Sequence, residues 1–395
     1  MTAKPTILIA GAGLGGLTAA IALAQSGFKV QVFEQAQQLG EIGAGVRIHP
    51  NGFRALAGLG LKEAILKDCY TPKCREIRVW NTGYCASAPF SVDAVVSRYG
   101  YPGIAMHRAD LHAVLVNALE ALQPGAVQVS SKVAGFEQTN DGVQLSLADG
   151  RRYKADVLVG ADGLHSVIRK QLFGASKAEF TGTISWRGII PVDSLPEGAR
   201  TFCGQGWMGL NGHWVVYRIR RGELINIVGH IDRDDWQVES WTELGTTEEM
   251  QADFKGWHPH IQALIRNIDK PYKWALFLHP TMPQWTEGRV TLLGDACHPT
   301  LPYLGAGANM AIEDGVILAR CLDRYDPITA LKRYEELRIP RTTQIVNASA
   351  ANRSRYHHPD LGDPDKARIH IDRIASNLND SDAWVYGYDA ATVPI

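Results

Sequence analysis

The chain has 395 residues, enough for two or three domains and a large core, and 45% hydrophobic with 21% charged residues is the composition of a folded globular protein rather than a disordered or fibrous one. Forty Lys and Arg against 41 Asp and Glu leave a net charge of −1, so there is no basic excess to neutralise phosphates or anionic lipid, and neither nucleic acid nor membrane is expected as a partner. Cys69, Cys74, Cys85, Cys203, Cys297 and Cys321 include no C-x-x-C pair, which argues against a zinc ribbon or a redox dithiol and predicts reduced thiols in a cytoplasmic protein.

The stretch from Ile7 to Ala24 is apolar enough to imitate a membrane span or signal peptide, but four glycines in its first half argue against both. The switch from a β-branched run to small residues predicts a strand at Ile7 to Ala10, a glycine turn, and a helix from about Gly15 to Ser26. Gly11, Gly13 and Gly16 form G-x-G-x-x-G after that strand, and a second strand, Lys29 to Phe33, ends at Glu34. The first glycine permits a tight turn, the second lets backbone amides approach a pyrophosphate, and the third lets helix and strand pack closely. Glu34 is placed to accept from a ribose hydroxyl and would repel a 2'-phosphate, so the adenosine predicted here is that of FAD or NAD.

Further on, Leu111, Val114, Leu115, Ala118, Leu119 and Leu122 recur at helical spacing, with Asp110 expected to cap the helix. Residues 126–159 read as short strands joined at Asn140-Asp141-Gly142 and Asp149-Gly150, leading to a buried strand that ends at Asp162-Gly163. From about Glu179 to Gly229 the alternating, aromatic-rich runs suggest an antiparallel sheet facing a substrate. His213 and Tyr217, four residues apart in HWVVY, point to one face of a strand there. Residues 246–268 look helical, Tyr272 to Leu278 returns as a strand, and Asp326 to Ala351 reads as a long helix interrupted at Pro340.

Gly288 to Asp314 contains another apolar strand, ending at Gly294-Asp295 and followed by the turn Gly305-Ala306-Gly307-Ala308-Asn309 into a helix. A carboxylate at Asp295 suits the ribityl hydroxyls of a flavin, which NAD lacks. A helix starting at that turn would aim its N–H groups at the flavin pyrimidine edge.

The three segments, with Arg108 in HRADLH between the first two, make the sequence similar to the class A FAD-dependent aromatic monooxygenases over nearly its whole length. The likeness is strongest to the salicylate hydroxylase and 6-hydroxynicotinate 3-monooxygenase branch, through the glycines at 43 and 45, Pro50-Asn51, the GDACHP run at 294–299 and the terminal AWVYGYD. The resemblance implies an α/β fold: a Rossmann-like FAD-binding domain of the glutathione-reductase type (1–178 and 273–350), an inserted antiparallel-sheet substrate domain (179–272), and a C-terminal helical or interface segment (351–395). It implies FAD, with NADH or NADPH as co-substrate and no metal. A phenolic or hydroxypyridine ring bearing a carboxyl group is hydroxylated with O2 through a flavin C4a-hydroperoxide, with or without decarboxylation, by a monomer or homodimer.

The FAD contacts so implied are Gly11, Gly13, Leu14, Gly15, Gly16, Glu34, Gln35, Arg47, Arg108, Val133, Asp162, Gly294, Asp295, Gly305, Gly307, Ala308 and Asn309. Tyr217, His213 and Arg47 are the implied catalytic groups, and Cys203, Tyr303 and Arg47 touch substrate. Where the hydroxynicotinate members carry histidines, this chain has Arg47 and Tyr303, and a guanidinium favours an anionic ring over base chemistry.

Other polar groups read as structural. Arg187 is expected in an ion pair on the sheet, His357-His358 with Asp360 and His258 with His260 in solvated loops, and Cys297-His298 in packing near the cofactor. A halogenase would need a lysine and a W-x-W-x-I-P motif that are absent. The rival readings are an FAD oxidoreductase without oxygen insertion and a non-catalytic flavin-binding protein.

Overall fold

The computed structural model describes residues 4–395 apart from 41–43, 89–90, 176, 201–202, 239–242 and 382, so Gly43 lies outside the described residues. At the centre of a six-stranded sheet, Thr6–Ala10 runs parallel to Val157–Gly160 on one side and Lys29–Phe33 on the other, with Ile7 opposite both Val157 and Val30. Strands covered on both faces read as unbroken apolar runs, and TILIA and VLVG are such runs. Val290–Leu292 extends the sheet beyond Val157–Gly160, and Val127–Gln128 extends it beyond Lys29–Phe33. The predicted hairpins form a separate meander of Val133–Gln138, Val143–Leu147 and Arg152–Ala155.

The helix Leu14–Gln25 packs against Gly307–Arg324 and Arg108–Leu122. Its approach to Gly307–Arg324 is at backbone distance: a Cβ at Gly315 would lie 2.7 Å from the Ala19 nitrogen. Small residues on both helices permit that approach, and it brings two helix N-termini to the same side of the sheet.

The second sheet has seven strands, in the order Tyr272–Leu278, Glu179–Pro191, Leu224–Asp232, Gly212–Ile219, Gly204–Gly209, Arg75–Val79 and Cys85–Ala88. It therefore extends beyond 179–272, drawing two strands from the segment that follows the first glycine turn. The added strand Arg75–Val79 pairs parallel to Gly204–Gly209. One face carries Ile184, Trp186, Trp214, Val216 and Ile227, packed under Met250, Phe254, Ile261 and Ile265 of the helices Thr247–Asp253 and Pro259–Arg266. Because strand side chains alternate, His213, Val215 and Tyr217 with Val228, His230 and Arg187 fall on the other face.

Three expectations need correction. The helix Arg108–Leu122, which begins within HRADLH, is capped by His107, whose Nδ1 accepts from the Ala109 nitrogen, while Asp110 is ion-paired with Arg220 at 2.8 Å. Pro327–Tyr356 is one continuous helix despite Pro340. A proline inside a helix costs about 3 kcal/mol, but Arg338, Thr342, Ile345 and Val346 are buried on both sides of it and hold the axis in place. After this helix, Pro364–Ser381 packs Ala367, Ile371 and Ile374 onto Ile77, Val79 and Met208, so the C-terminal segment covers the chain's own sheet. Finally, Cys74 and Cys203 form a disulfide across the starts of two paired strands, overturning the reduced-thiol expectation for these two residues.

A buried ion network fastens the helices. Arg338 contacts Glu313 at 2.8 Å and Asp314 at 2.7 Å with all three side chains fully buried, and Arg341 contacts Glu313 at 2.8 Å. Replacing Arg338 with Met would leave buried carboxylates short of a partner, so Arg338→Met should lower unfolding free energy by about 3–5 kcal/mol. Arg333→Met, which removes a surface pair with Glu336, should cost under about 1 kcal/mol. Urea denaturation of the two variants checks the contrast.

Candidate functional site

A cavity of about 440 Å³ runs from the glycine turn at Gly13–Gly16 to the polar face of the seven-stranded sheet. At the turn, two of the three motif glycines are required by the protein itself. Gly11 has φ +100°, and a Cβ there would lie 2.3 Å from the Ala161 oxygen; a Cβ on Gly16 would lie 2.2 Å from the Gly11 oxygen. Gly13 is different: nothing lies within 4 Å of its Cβ position, and it lines the cavity. Gly13 is also the N-cap of Leu14–Gln25, and no side chain caps this helix. Gly307–Arg324 likewise begins without a side-chain cap, and Gly307 and Ala308 line the cavity. Two helix N-termini thus present N–H groups and positive dipole ends to one space.

Charged groups complete this part of the site. Asp295, exposed, and Arg108, half-buried, both line the cavity; desolvation pulls the Arg108 guanidinium down from its ordinary value, and the Asp295 charge offsets part of that pull. Donor amides and a guanidinium, with an acceptor carboxylate, fit a pyrophosphate joined to a polyol and a flat ring system, the parts of FAD.

The seven-stranded sheet supplies Arg187, His213, Tyr217 and His230 to the rest of the wall, with Arg47 from the strand Gly45–Ile48 and Tyr303 from the turn Pro302–Leu304. All six line the same cavity. Arg187, expected in an ion pair on the sheet, stacks with its guanidinium carbon 3.8 Å from the Trp274 ring centroid. Burial lowers Arg187 to about 9, which leaves it cationic at neutral pH. Burial pushes the Tyr217 hydroxyl up to about 12, against the opposing pull of the Arg47 and Arg187 charges. Tyr217 is thus a neutral phenol able to donate or accept. His49, lowered to about 3 by burial and by Arg47, stays neutral, with its Nε2 3.1 Å from the Leu304 carbonyl.

His213 sits in an aromatic cage, with ring centroids at 4.5 Å to His230, 4.9 Å to Tyr356 and 5.2 Å to Tyr303. Burial, then the charges of His230 and His357, hold His213 well below the ordinary histidine range. His357 is not in a solvated loop: its Nε2 lies 2.8 Å from His213 Nδ1, and its Nδ1 lies 3.0 Å from Asp232. His258, also expected in solvent, caps Pro259–Arg266 and packs on Trp207.

Several of the expected FAD positions make contacts within the protein. Glu34 accepts from the amides of Ala12 and Ala36, fixing the glycine turn at the strand end, and Gln35 is exposed. Neither lines the cavity, which stops at Gly13. Val133 turns its side chain into the core. Asp162 accepts from Ser166 and from the amides of Val167 and Ile168, so its carboxylate serves the start of Val167–Phe173; Ala161 and Gly163 line the cavity instead. Asn309 accepts from the His49 amide and donates to the Arg47 and Gly305 carbonyls, clamping the strand that carries Arg47. Cys203 is corrected as a substrate contact: its sulfur is joined to Cys74, and Cys74 is the member of the pair that lines the cavity. His298 and Cys297 are buried, with His298 Nε2 2.5 Å from Asp314, behind the Gly294 turn.

Sequence reasoning missed Asp232, His230 and the placement of His357. His230 shares a face with Asn226 and Val228 by alternation, a signal present in the sequence, but its alignment opposite His213 depends on strand register.

The family model for an FAD binding domain matches residues 4–349. The chain is 38% identical over 392 residues to 3-amino-4-hydroxybenzoate 2-monooxygenase of Streptomyces platensis, covering 99% of this chain and 98% of that protein. It is 34% identical to 6-hydroxynicotinate 3-monooxygenase of Pseudomonas fluorescens, covering 100% and 98%. Among solved structures it is similar to Klebsiella pneumoniae HpxO complexed with FAD and uric acid, with a TM-score of 0.83, 25% identity and 97% of each chain covered.

The different surroundings of the glycines predict separable losses. Gly13→Ala should leave the melting temperature of the flavin-free protein unchanged but weaken FAD binding at least about tenfold, or ~1.4 kcal/mol. Gly16→Ala, which meets backbone at 2.2 Å, should lower the melting temperature of the flavin-free protein itself. Thermal melts with and without FAD, alongside flavin fluorescence titration, separate the two.

Proposed function

The chain belongs to the FAD binding domain family and is an FAD-dependent aromatic-ring monooxygenase, and on that footing we propose which residues act on the ring and which ring they select. The observation that carries the reading is the pair of guanidiniums, Arg47 and Arg187, whose charges both act on a buried, neutral Tyr217 in one cavity. The preferred substrate is a hydroxybenzoate-class ring that carries a carboxylate and a phenolic oxygen. A related 3-amino-4-hydroxybenzoate enzyme supports this ring class, and Arg47 favours it over a hydroxynicotinate, whose enzymes resemble this chain less in identity.

When bound, FAD accepts reducing equivalents from NAD(P)H and supplies activated oxygen for insertion into the ring. The Gly13–Gly16 turn and the helix starting at Gly307 hold its anionic and polar parts, and Asp295 its polyol. Arg47 and Arg187 hold the substrate carboxylate, a role suited to planar, bidentate guanidiniums. Tyr217 donates to or accepts from the phenolic oxygen, and His213, neutral through burial, accepts a proton from it. The apolar wall, including Val215 and Val228, limits water around the ring. The net charge of −1 supports leaving nucleic acid and membrane out of its partners, and among the described residues no helix is long and apolar enough to cross a membrane. We assign the enzyme to the cytoplasm, where its reduced nicotinamide is available.

NAD(P)H oxidation by the FAD-loaded enzyme in air, with mass spectrometry of each mixture, tests the ring class. A panel of 3-amino-4-hydroxybenzoate, 3- and 4-hydroxybenzoate, salicylate and 6-hydroxynicotinate should show a hydroxybenzoate that accelerates oxidation and gains one oxygen. Acceleration and oxygen gain with 6-hydroxynicotinate alone would overturn the ring assignment. Tyr217→Phe should lower kcat by about 10²-fold or more. Arg187→Met should raise KM for the carboxylated ring at least about tenfold and leave the phenol lacking the carboxyl less affected.

A further inference from the structure

Three residues far apart in the sequence meet beside the ring-binding cavity. His213 lies on the strand Gly212–Ile219, Asp232 ends the strand Leu224–Asp232, and His357 follows the helix Pro327–Tyr356. Asp232 Oδ2 is 3.0 Å from His357 Nδ1, and His357 Nε2 is 2.8 Å from His213 Nδ1. A carboxylate only accepts, so it selects His357 with its proton on Nδ1. His357 Nε2 is then an acceptor, and His213 must donate from Nδ1. The remaining nitrogen, His213 Nε2, is buried and has no hydrogen-bond partner among the described residues, although His213 lines the cavity. A buried bare acceptor of this kind is costly unless a ligand supplies its partner.

The anchor of this chain is itself held. Asp232 Oδ1 accepts from the Thr183 hydroxyl at 2.9 Å and contacts Arg353 at 3.1 Å. Burial pushes its carboxyl up, but His357, Thr183 and Arg353 together outweigh that push and hold it below the usual range, so it remains ionised. The other groups facing His213 are His230 on the neighbouring strand, with Arg187 beyond it, and the rings of Tyr303 and Tyr356. Among these neighbours the only negative charge reaches His213 through His357.

Resting on the ring-binding reading above, we propose that Asp232 and His357 are positioning residues that hold His213 with its Nε2 lone pair toward the substrate and receive the charge of the proton it accepts. One substrate O–H bond breaks and an N–H bond forms at His213 Nε2. The His213 Nδ1 proton moves to His357 Nε2, leaving His213 neutral and His357 cationic beside the Asp232 carboxylate. No electrons are transferred, and the substrate is left as a phenolate, the form more reactive toward electrophilic oxygen. Reversal of the same shift returns the proton to the product.

The test uses FAD-loaded enzyme labelled with 15N at histidine, with His213 assigned by loss of its signals in His213→Gln. Long-range 1H–15N spectra of the wild type, with no substrate present, should show His213 as the Nδ1–H tautomer, and Asp232→Asn and His357→Phe should each change it. His357→Gln is the discriminating variant. Its amide can donate to Asp232 and accept from His213, so it should keep the His213 tautomer while being unable to take up a proton. The second readout is the optical ionisation midpoint of bound 4-hydroxy-3-nitrobenzoate. It should rise by about one pH unit, a tenfold loss of phenol acidity, in His357→Gln as well as in His357→Phe. An Nε2–H tautomer in the wild type, or tautomer and midpoint both unmoved by Asp232→Asn and His357→Phe, would overturn the proposal. Because the tautomer is read with no ring bound, its outcome holds whether or not the hydroxybenzoate assignment fails.

Discussion

The turn that exposes Asp295 and the helix that opens at Gly307 are fixed from behind by one buried ion cluster. Asp314 bonds Arg338 at 2.7 Å and His298 at 2.5 Å, and also accepts from the amide of Gly294 at 3.1 Å. It therefore joins three elements: the turn that exposes Asp295, the helix whose N-terminus opens at Gly307, and the long helix that carries Arg338. Glu313, next in the chain, takes Arg338 and Arg341 and also the Asn51 amide at 2.7 Å, adding the helix Pro50–Gly58. Such a cluster is weak evidence for net stability, since desolvation opposes the Coulomb gain. Its geometric demands are strict, however, and they set where Asp295 and the Gly307 amides sit.

The substrate side depends on a different asymmetry. The central strands Glu179–Pro191, Leu224–Asp232 and Gly212–Ile219 give large apolar side chains, Trp186 and Trp214 among them, to a helix-covered core, and polar side chains to the cavity. The packed face fixes register, because a one-residue slip would send Trp186 and Trp214 toward the cavity and His213 and Tyr217 into the core. Arg187, His213, Tyr217 and His230 are thus aligned by the apolar residues between them. Polar clamps tie in the strand Gly45–Ile48 between this sheet and the flavin side: Asn226 accepts from the Gly45 backbone amide at 2.6 Å, and Asn309 of the helix Gly307–Arg324 donates to the carbonyl of Arg47.

Burial sets the protonation of this wall. Burial keeps Tyr217 a phenol beside two cations that would otherwise favour its ionisation, and keeps His213, whose Nδ1 is committed to His357, neutral under mildly acidic conditions in which an exposed histidine would be charged. The same low-dielectric surroundings that raise the cost of an unpaired group give each fixed charge its reach.

The flavin frame is legible in the chain alone. The positive φ of Gly11, the approach of Gly16 to the Gly11 oxygen, the flanking strands and the turn at Gly305 are local patterns, so spacing exposes them. His213 and Tyr217 are legible as one face of one strand for the same reason. Packing between distant segments supplied the rest. The Cys74–Cys203 disulfide, the turning of Asp162 to a helix start, the placing of Arg187 over Trp274, and the alignment of Asp232, His357 and His213 all join residues distant in the chain or choose between local partners. Periodicity cannot carry that information. Register, helix crossing and the burial of a charge are settled by packing between elements, where the free energy depends on which surfaces meet.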